Sequence, residues 1–277
     1  MTTLVAWFGA DEKSDGRRPA SLYFASDSRI SWDEKPRPHW DHAKKVFASR
    51  TSPDIFGFSG GVESGLMLLS QVASLVDHGV LFAPMDDANQ RYRKFFHALQ
   101  RTWEFYPLKK RQDVSLLHGF RIGDGANSRF YVSSFKYRVD SRKWINQLLE
   151  CPRGEDSSVL TSSGSGSETA LRWIAQRNEC VDVKNTARAV FSGVCDAILS
   201  EIDPATGGSP QLVALYRKAN ASSIGIVWND KLFFDGQPVE QSYVPDEIEW
   251  RNRFFERIDK RTKELLLGAQ SHDSLRG

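Results

Sequence analysis

Apolar positions in this chain fall into short runs of β-forming residues, interrupted twice by long stretches with helical spacing. Residues 2–8 form the first run, and residues 20–26 the second; the charged, Gly- and Pro-bearing residues 9–19 between them predict a long loop. Residues 31–42 carry two prolines and mixed charge and predict another loop. Strands are expected at 44–49 and 54–59, with Thr51, Ser52 and Pro53 as the turn. Leu66, Leu69, Val72, Ala73 and Val76 then repeat at helical spacing and predict a helix over 64–78. A second helix is predicted over 86–106, with Tyr92, Phe95, Phe96, Leu99, Trp103 and Tyr106 along one side.

The second half repeats the theme. Strands are predicted at 114–122 and 128–139 around a Gly-rich turn, while residues 140–156 show no clear pattern. A short strand at 158–161 runs into Ser162-Ser163-Gly164-Ser165-Gly166-Ser167, followed by helices over 168–176 and 185–202. That serine- and glycine-rich segment reads either as a flexible linker or as a tight functional turn; it lacks the Gly-Lys-Ser/Thr ending of a P-loop. Strands at 211–217, 222–228 and 231–234 follow, then an amphipathic helix over 247–267 carrying Trp250, Phe254, Ile258 and Leu265. Strand groups thus alternate with helix pairs. The expected class is α+β, with two antiparallel sheets between helix layers. One domain is expected over residues 1–246, with 247–277 as a C-terminal helical extension.

Composition narrows the chemistry. The 277 residues carry a net charge of only +2, so no basic field points to nucleic acid. No apolar run approaches the roughly 20 residues needed to span a bilayer, and no signal-peptide pattern opens the chain. Three widely spaced cysteines make neither a disulfide framework nor a zinc pattern, and the six histidines contain no HExxH pair. A cytoplasmic protein that uses no metal or cofactor is expected.

The start of the chain carries candidate chemistry. Thr2 is small enough for Met1 to be removed, which would expose a threonine with a hydroxyl and a free α-amine. That amine has a pKa of about 7.7–8.0, so one residue can supply nucleophile and base together.

A series of short motifs follows in order. After Thr2-Thr3-Leu4-Val5-Ala6 come Phe24-Ala25-Ser26-Asp27-Ser28-Arg29, Ala43-Lys44-Lys45-Val46 and Ile55-Phe56-Gly57-Phe58-Ser59-Gly60-Gly61. Gly164-Ser165-Gly166-Ser167 and Asp203-Pro204-Ala205-Thr206-Gly207-Gly208 complete the set. In this order, over about residues 2–235, the motifs resemble the proteasome β-subunit family of N-terminal nucleophile (Ntn) hydrolases, including bacterial HslV. The resemblance implies a four-layer αββα sandwich and a threonine peptidase. Thr2 matches the nucleophile, Lys45 the lysine beside its hydroxyl, and Asp27 the aspartate that pairs with that lysine. Gly57 matches the glycine whose N–H stabilises the oxyanion. Ser165, Asp203 and Thr206 match the network near the threonine amine. Ser31 matches the backbone position that pairs with the substrate strand, and Ile30, Phe47 and Ile55 match residues of an apolar specificity pocket.

The resemblance further implies a homo-oligomer of two stacked rings, a peptide or unfolded-protein substrate and an ATP-dependent unfoldase as partner. The long segments 9–19, 31–42, 140–156 and 247–267 depart from HslV and leave the branch open among HslV, Anbu and the β-proteobacterial proteasome homologue. Two other readings stand beside the peptidase: an Ntn amidase acting on a small molecule, and an inactive structural ring subunit.

Overall fold

The first two strands set the frame. In the computed structural model, which describes residues 2–13, 16–32 and 38–269, β1 (Leu4–Lys13) and β2 (Gly16–Ser26) form one long antiparallel hairpin. The loop expected over 9–19 is therefore mostly strand. Asp11 lies opposite Arg18 and Glu12 opposite Arg17 in the ladder, and partners outside the hairpin hold its charges: Asp11 pairs with Arg217 at 3.2 Å and Arg17 with Asp156. Residues 14 and 15 lie outside the described residues.

Further strands are β3 (Ile30–Ser31), β4 (His39–Trp40), β5 (Val46–Ala48), β6 (Asp54–Gly60), β7 (Val114–Ile122), β8 (Arg129–Arg138) and β9 (Lys143–Glu150). They continue as β10 (Ser158–Ser163), β11 (Gln211–Tyr216), β12 (Ser222–Trp228), β13 (Lys231–Phe234), β14 (Gln237–Pro238) and β15 (Trp250–Arg251). The helices are α1 (Val62–Asp77), α2 (Ala88–Phe105), α3 (Ser167–Arg177) and α4 (Ala187–Leu199). One sheet runs β10-β1-β2-β11-β12-β13-β14, with β15 parallel to β12, and the other runs β5-β6-β7-β8-β9. The patternless stretch 140–156 supplies β9, an edge strand with no fully buried position, which is why no apolar period marks it. A small β3-β4 ribbon interrupts the loop expected over 31–42; residues 33–37 lie outside the described residues.

The period of two along β1 sorts its side chains. Leu4, Ala6 and Phe8, with Leu22 and Phe24 of β2, share an apolar cluster with Val46, Ile55, Leu117 and Val132 of the five-stranded sheet. Val5, Trp7, Tyr23 and Ala25 turn the other way and pack on α3 and α4. Phe56, Phe58, Leu116 and Phe135 pack on α1 and α2. A capping box starts α2: Asp87 accepts from the Gln90 N–H at 2.8 Å, and the Gln90 side chain accepts from the Asp87 N–H at 2.8 Å.

The helix expected over 247–267 is absent. Phe255 and Lys263 have left-handed backbones, at φ 63° and 61°, which interrupts any helical run. Trp250 lies on Gly225, where a Cβ would sit 2.5 Å from the ring. Phe255, outside the expected apolar stripe, packs at ring-centroid distances of 5.3 Å from Tyr23 and 5.4 Å from Phe191. Burial of these rings on the sheet outweighs local helical propensity. Among the described residues no helix is long and apolar enough to cross a membrane.

Candidate active site

Thr2 and Thr3 precede β1, and both are fully buried. The paired strands β2 and β10 flank this first strand, so the segments that follow Ser26 and Ser163 both arrive beside the N-terminus. Gly164 makes the second approach close. It has φ +96°, and a Cβ there would overlap the Thr2 carbonyl oxygen.

Asp27 is a hub. Its Oδ1 accepts from the Thr3 N–H at 2.9 Å and from Lys45 Nζ at 2.9 Å. Its Oδ2 accepts from the Arg29 and Gly207 N–H groups, each at 3.1 Å. The Asp27 N–H in turn donates to the Thr3 carbonyl at 3.3 Å. Asp27 and Lys45 are both fully buried, and the ammonium also donates to the Arg29 carbonyl. Burial pulls the proton affinity of Lys45 below that of ordinary lysine, while the charge of Asp27 opposes the shift. The residue types fit the task, because a buried ammonium is tolerated only beside a paired, hydrogen-bonded anion.

A second network meets the first at Thr3. Ser165 Oγ donates to Asp203 Oδ2 at 2.6 Å, and Thr206 Oγ1 donates to the same oxygen at 2.9 Å. With its one proton committed there, Thr206 can only accept from Thr3 Oγ1, 2.8 Å away. Asp203 is held by its own turn, accepting from the Ala205 N–H at 3.1 Å. Ser165 is exposed, so the network runs from the buried N-terminus out to solvent. Gly166 allows the approach, because a Cβ there would overlap Thr3 Oγ1 and Thr206 Oγ1.

The structure thus brings Asp27, Lys45, Ser165, Asp203 and Thr206 together around Thr2-Thr3. Other expected residues sit differently. Gly57 lies in β6 between Val46 and Leu117. The Gly61 N–H donates to Asp113 and the Arg121 N–H to Pro53, which fixes the parity of the β6–β7 ladder. That parity directs the Gly57 N–H to Leu117, so it is not available as an oxyanion donor. The same parity turns the Gly60 N–H away from β7. The neighbouring Phe58 N–H bonds to the Lys45 carbonyl at 3.1 Å, so Gly60 faces the side where β5 has ended. Ile55 is fully buried between the sheets and lines no open pocket. It lies five residues before Gly60, about 17 Å along the strand. Phe47 is half-buried and packs with the α1–α2 cluster. Ile30 is buried and Ser31 half-buried. The Trp32 N–H donates to Pro38, so the Ser31 N–H and C=O point away from β4.

Thr3, Gly60, Gly164 and the pair Arg29–Asp41 were not singled out in the sequence. Arg29 meets Asp41 with two bonds, at 2.7 and 2.9 Å, which holds the Asp41 carboxyl below the usual carboxylate range. The Gly60-Gly61 doublet ending an apolar strand was the available signal for Gly60; nothing local marks Thr3 as the junction of two networks.

No known family model matches the chain, and no curated protein matches it. Solved structures do. The chain is similar to the eukaryotic HslV from Trypanosoma brucei at 13% identity, covering 77% of this chain and 99% of that one, with a TM-score of 0.46. It is similar to a Gly-1 mutant of Anbu from Hyphomicrobium sp. strain MC1 at 13% identity, covering 80% and 86%, with a TM-score of 0.50. It is also similar to Anbu, described as an ancestral β-subunit, from Yersinia bercovieri at 11% identity, covering 80% and 87%, with a TM-score of 0.49. The likeness to the Hyphomicrobium protein is one of fold.

Proposed function

We infer that this chain, with its Anbu-like fold, is an HslV/Anbu-like relative of the proteasome β-subunits and acts as a threonine-type peptidase. The observation that carries the reading is the buried Asp27–Lys45 pair bonded to the Thr3 N–H, with the Asp203 network meeting the same residue from the other side. Removal of Met1 makes Thr2 the first residue. Its α-amine takes the hydroxyl proton, and Thr2 Oγ1 attacks a peptide carbonyl. The nearby Lys45 charge favours the developing alkoxide and lowers the proton affinity of the amine. An acyl ester forms as the amine product leaves, and water then hydrolyses it.

The oxyanion of that step is assigned to the Gly60 N–H, which ladder parity turns toward the end of β5. Ser165, Asp203 and Thr206 orient the amine through the hydroxyl chain. The outward backbone of Ser31 is the natural place for an extended substrate to add as a strand, and buried Ile30 beside it offers apolar contact. The layering fits a four-layer αββα sandwich, with residues 1–246 as the catalytic unit and 247–277 as an extension whose Trp250, Phe255 and Ile258 pack on it. A cytoplasmic homo-oligomer of two stacked rings, fed unfolded protein by an ATP-dependent unfoldase, completes the reading.

Thr2→Ala tests it. The variant is expected to fold and assemble as the parent does and to lose hydrolysis of unstructured peptides. Undiminished cleavage by Thr2→Ala would contradict the assignment.

A further inference from the structure

Lys45 lies one residue before β5 begins; its carbonyl accepts from the Phe58 N–H at 3.1 Å and the Ala43 N–H donates to the Ser28 carbonyl at 3.0 Å, but the Lys45 N–H itself has a side chain for its partner. That partner is Gln211. It sits in β11 opposite Ser26 and is 1% exposed. Its Oε1 accepts from the Lys45 N–H at 3.1 Å, and its Nε2 donates to the Asp27 carbonyl at 3.1 Å and the Ala43 carbonyl at 2.7 Å. These three bonds fix the amide orientation, because the reverse flip would set an oxygen against two carbonyls. One side chain thereby ties the backbone of Asp27 to that of Lys45.

The turn between β13 and β14 braces the same segment from outside. Lys44 pairs with Asp235, the Gln237 side chain donates to the His42 carbonyl, and His42 Nδ1 lies 3.3 Å from the Gly236 carbonyl. Gly236 has φ +84°, and a Cβ there would lie 3.0 Å from the Ala43 carbonyl oxygen and 3.2 Å from Gln211 Nε2. Removing Gln211 would leave a buried N–H and two carbonyls without this partner, and such groups relax toward water when they can.

We propose that Gln211 is a positioning residue: its amide sets where the Lys45 ammonium stands relative to Asp27 and the N-terminus. The effect on rate rests on the peptidase reading above; the effect on the backbone does not. A displacement of about 1 Å in such a site can cost about 100-fold in rate.

Hydrogen–deuterium exchange by mass spectrometry, run beside peptide hydrolysis on the full chain, tests both parts. In Gln211→Met, exchange at the Lys45 amide is expected to rise about tenfold or more, while residues 203–207 keep their protection. The kcat is expected to fall by roughly 10- to 100-fold with KM within about twofold. Gln211→Glu sets a carboxylate oxygen against the Asp27 and Ala43 carbonyls in place of the amide NH2, so exchange over 42–45 is expected to rise there too. Gln237→Ala loosens the outer brace and is expected to raise exchange over 42–45 in a chain that folds even where Gln211→Met does not. Unchanged exchange at the Lys45 amide in Gln211→Met, or over 42–45 in Gln237→Ala, overturns the brace. Raised exchange with an unchanged kcat overturns the positioning role. Absence of hydrolysis in the parent chain overturns the peptidase reading, while the exchange data still decide the brace.

Discussion

Replacing Asp27 with Asn should be the most damaging single change in the buried network. Each carboxylate oxygen of Asp27 faces two donors: Thr3 N–H and Lys45 Nζ on Oδ1, Arg29 N–H and Gly207 N–H on Oδ2. Whichever way the Asn amide turns, its NH2 points at two donors, and it leaves a fully buried ammonium without its counter-charge. Breaking a buried pair from one side costs about 3–5 kcal/mol. Lys45→Met should cost less, because Asp27 keeps three backbone N–H partners. In the double variant the stranded ammonium is gone, so the loss should fall well short of the sum of the two. The pH dependence has a definite sign. In Asp27→Asn the folded pKa of Lys45 drops further below its unfolded value of about 10.4, so the unfolded chain binds the extra proton. The deficit is therefore full below the folded pKa and shrinks as pH rises toward about 10.4. Guanidinium denaturation followed by tryptophan fluorescence, on both single variants and the double, reads these terms. A loss under about 1 kcal/mol in Asp27→Asn, or a Lys45→Met variant less stable than Asp27→Asn, would refute the reasoning.

Two further outcomes are expected. Gly164→Ala combines a left-handed backbone, costing about 1–2 kcal/mol, with a Cβ that must push the Thr2 carbonyl aside. Its kcat for peptide hydrolysis should fall by about 100-fold while far-ultraviolet circular dichroism stays that of the parent. On the other side of the five-stranded sheet, His118 Nε2 lies 2.7 Å from Asp54 Oδ1 among stacked phenylalanine rings, and burial lowers its pKa. The unfolded chain then binds more protons, so Tm should decline as pH falls below about 6.5, toward the lower folded pKa. Thermal melts of His118→Gln should show that decline flattened between pH 6.5 and 5; an unchanged slope would assign it elsewhere.

Legibility in the sequence followed the reach of each interaction. The order of strands and helices was readable because burial imposes a period on nearby residues: Leu66 to Val76 for α1, and the alternation of Leu4 through Phe8 for β1. Asp27, Lys45, Ser165, Asp203 and Thr206 were identifiable as an ordered set, and they do converge. What escaped depends on partners distant in the chain. The charges of residues 11–18 look like loop, yet Asp11 pairs with Arg217 and Arg17 with Asp156, both distant in the chain. The tail looked helical because Trp250 and Ile258 fit a helical face, yet Trp250 is claimed by Gly225 and Phe255 by Trp7, Tyr23 and Phe191. Gly57 and Gly60 are alike in sequence, and only the ladder parity set by Gly61 and Arg121 tells which N–H faces the open side. Gln211 carries no motif, since its three partners come from positions 27, 43 and 45.

The central claim is that Thr2, freed at its amine, is the nucleophile. Intact-mass spectrometry of the native protein after incubation with a peptide epoxyketone tests it most directly, because that probe needs both the hydroxyl and the free α-amine of one residue. The expected result is a chain that has lost Met1 and carries a single adduct, mapped by peptide sequencing to Thr2 and absent in Thr2→Ala. A chain that keeps Met1 and takes up no probe, or an adduct that persists in Thr2→Ala, would contradict it.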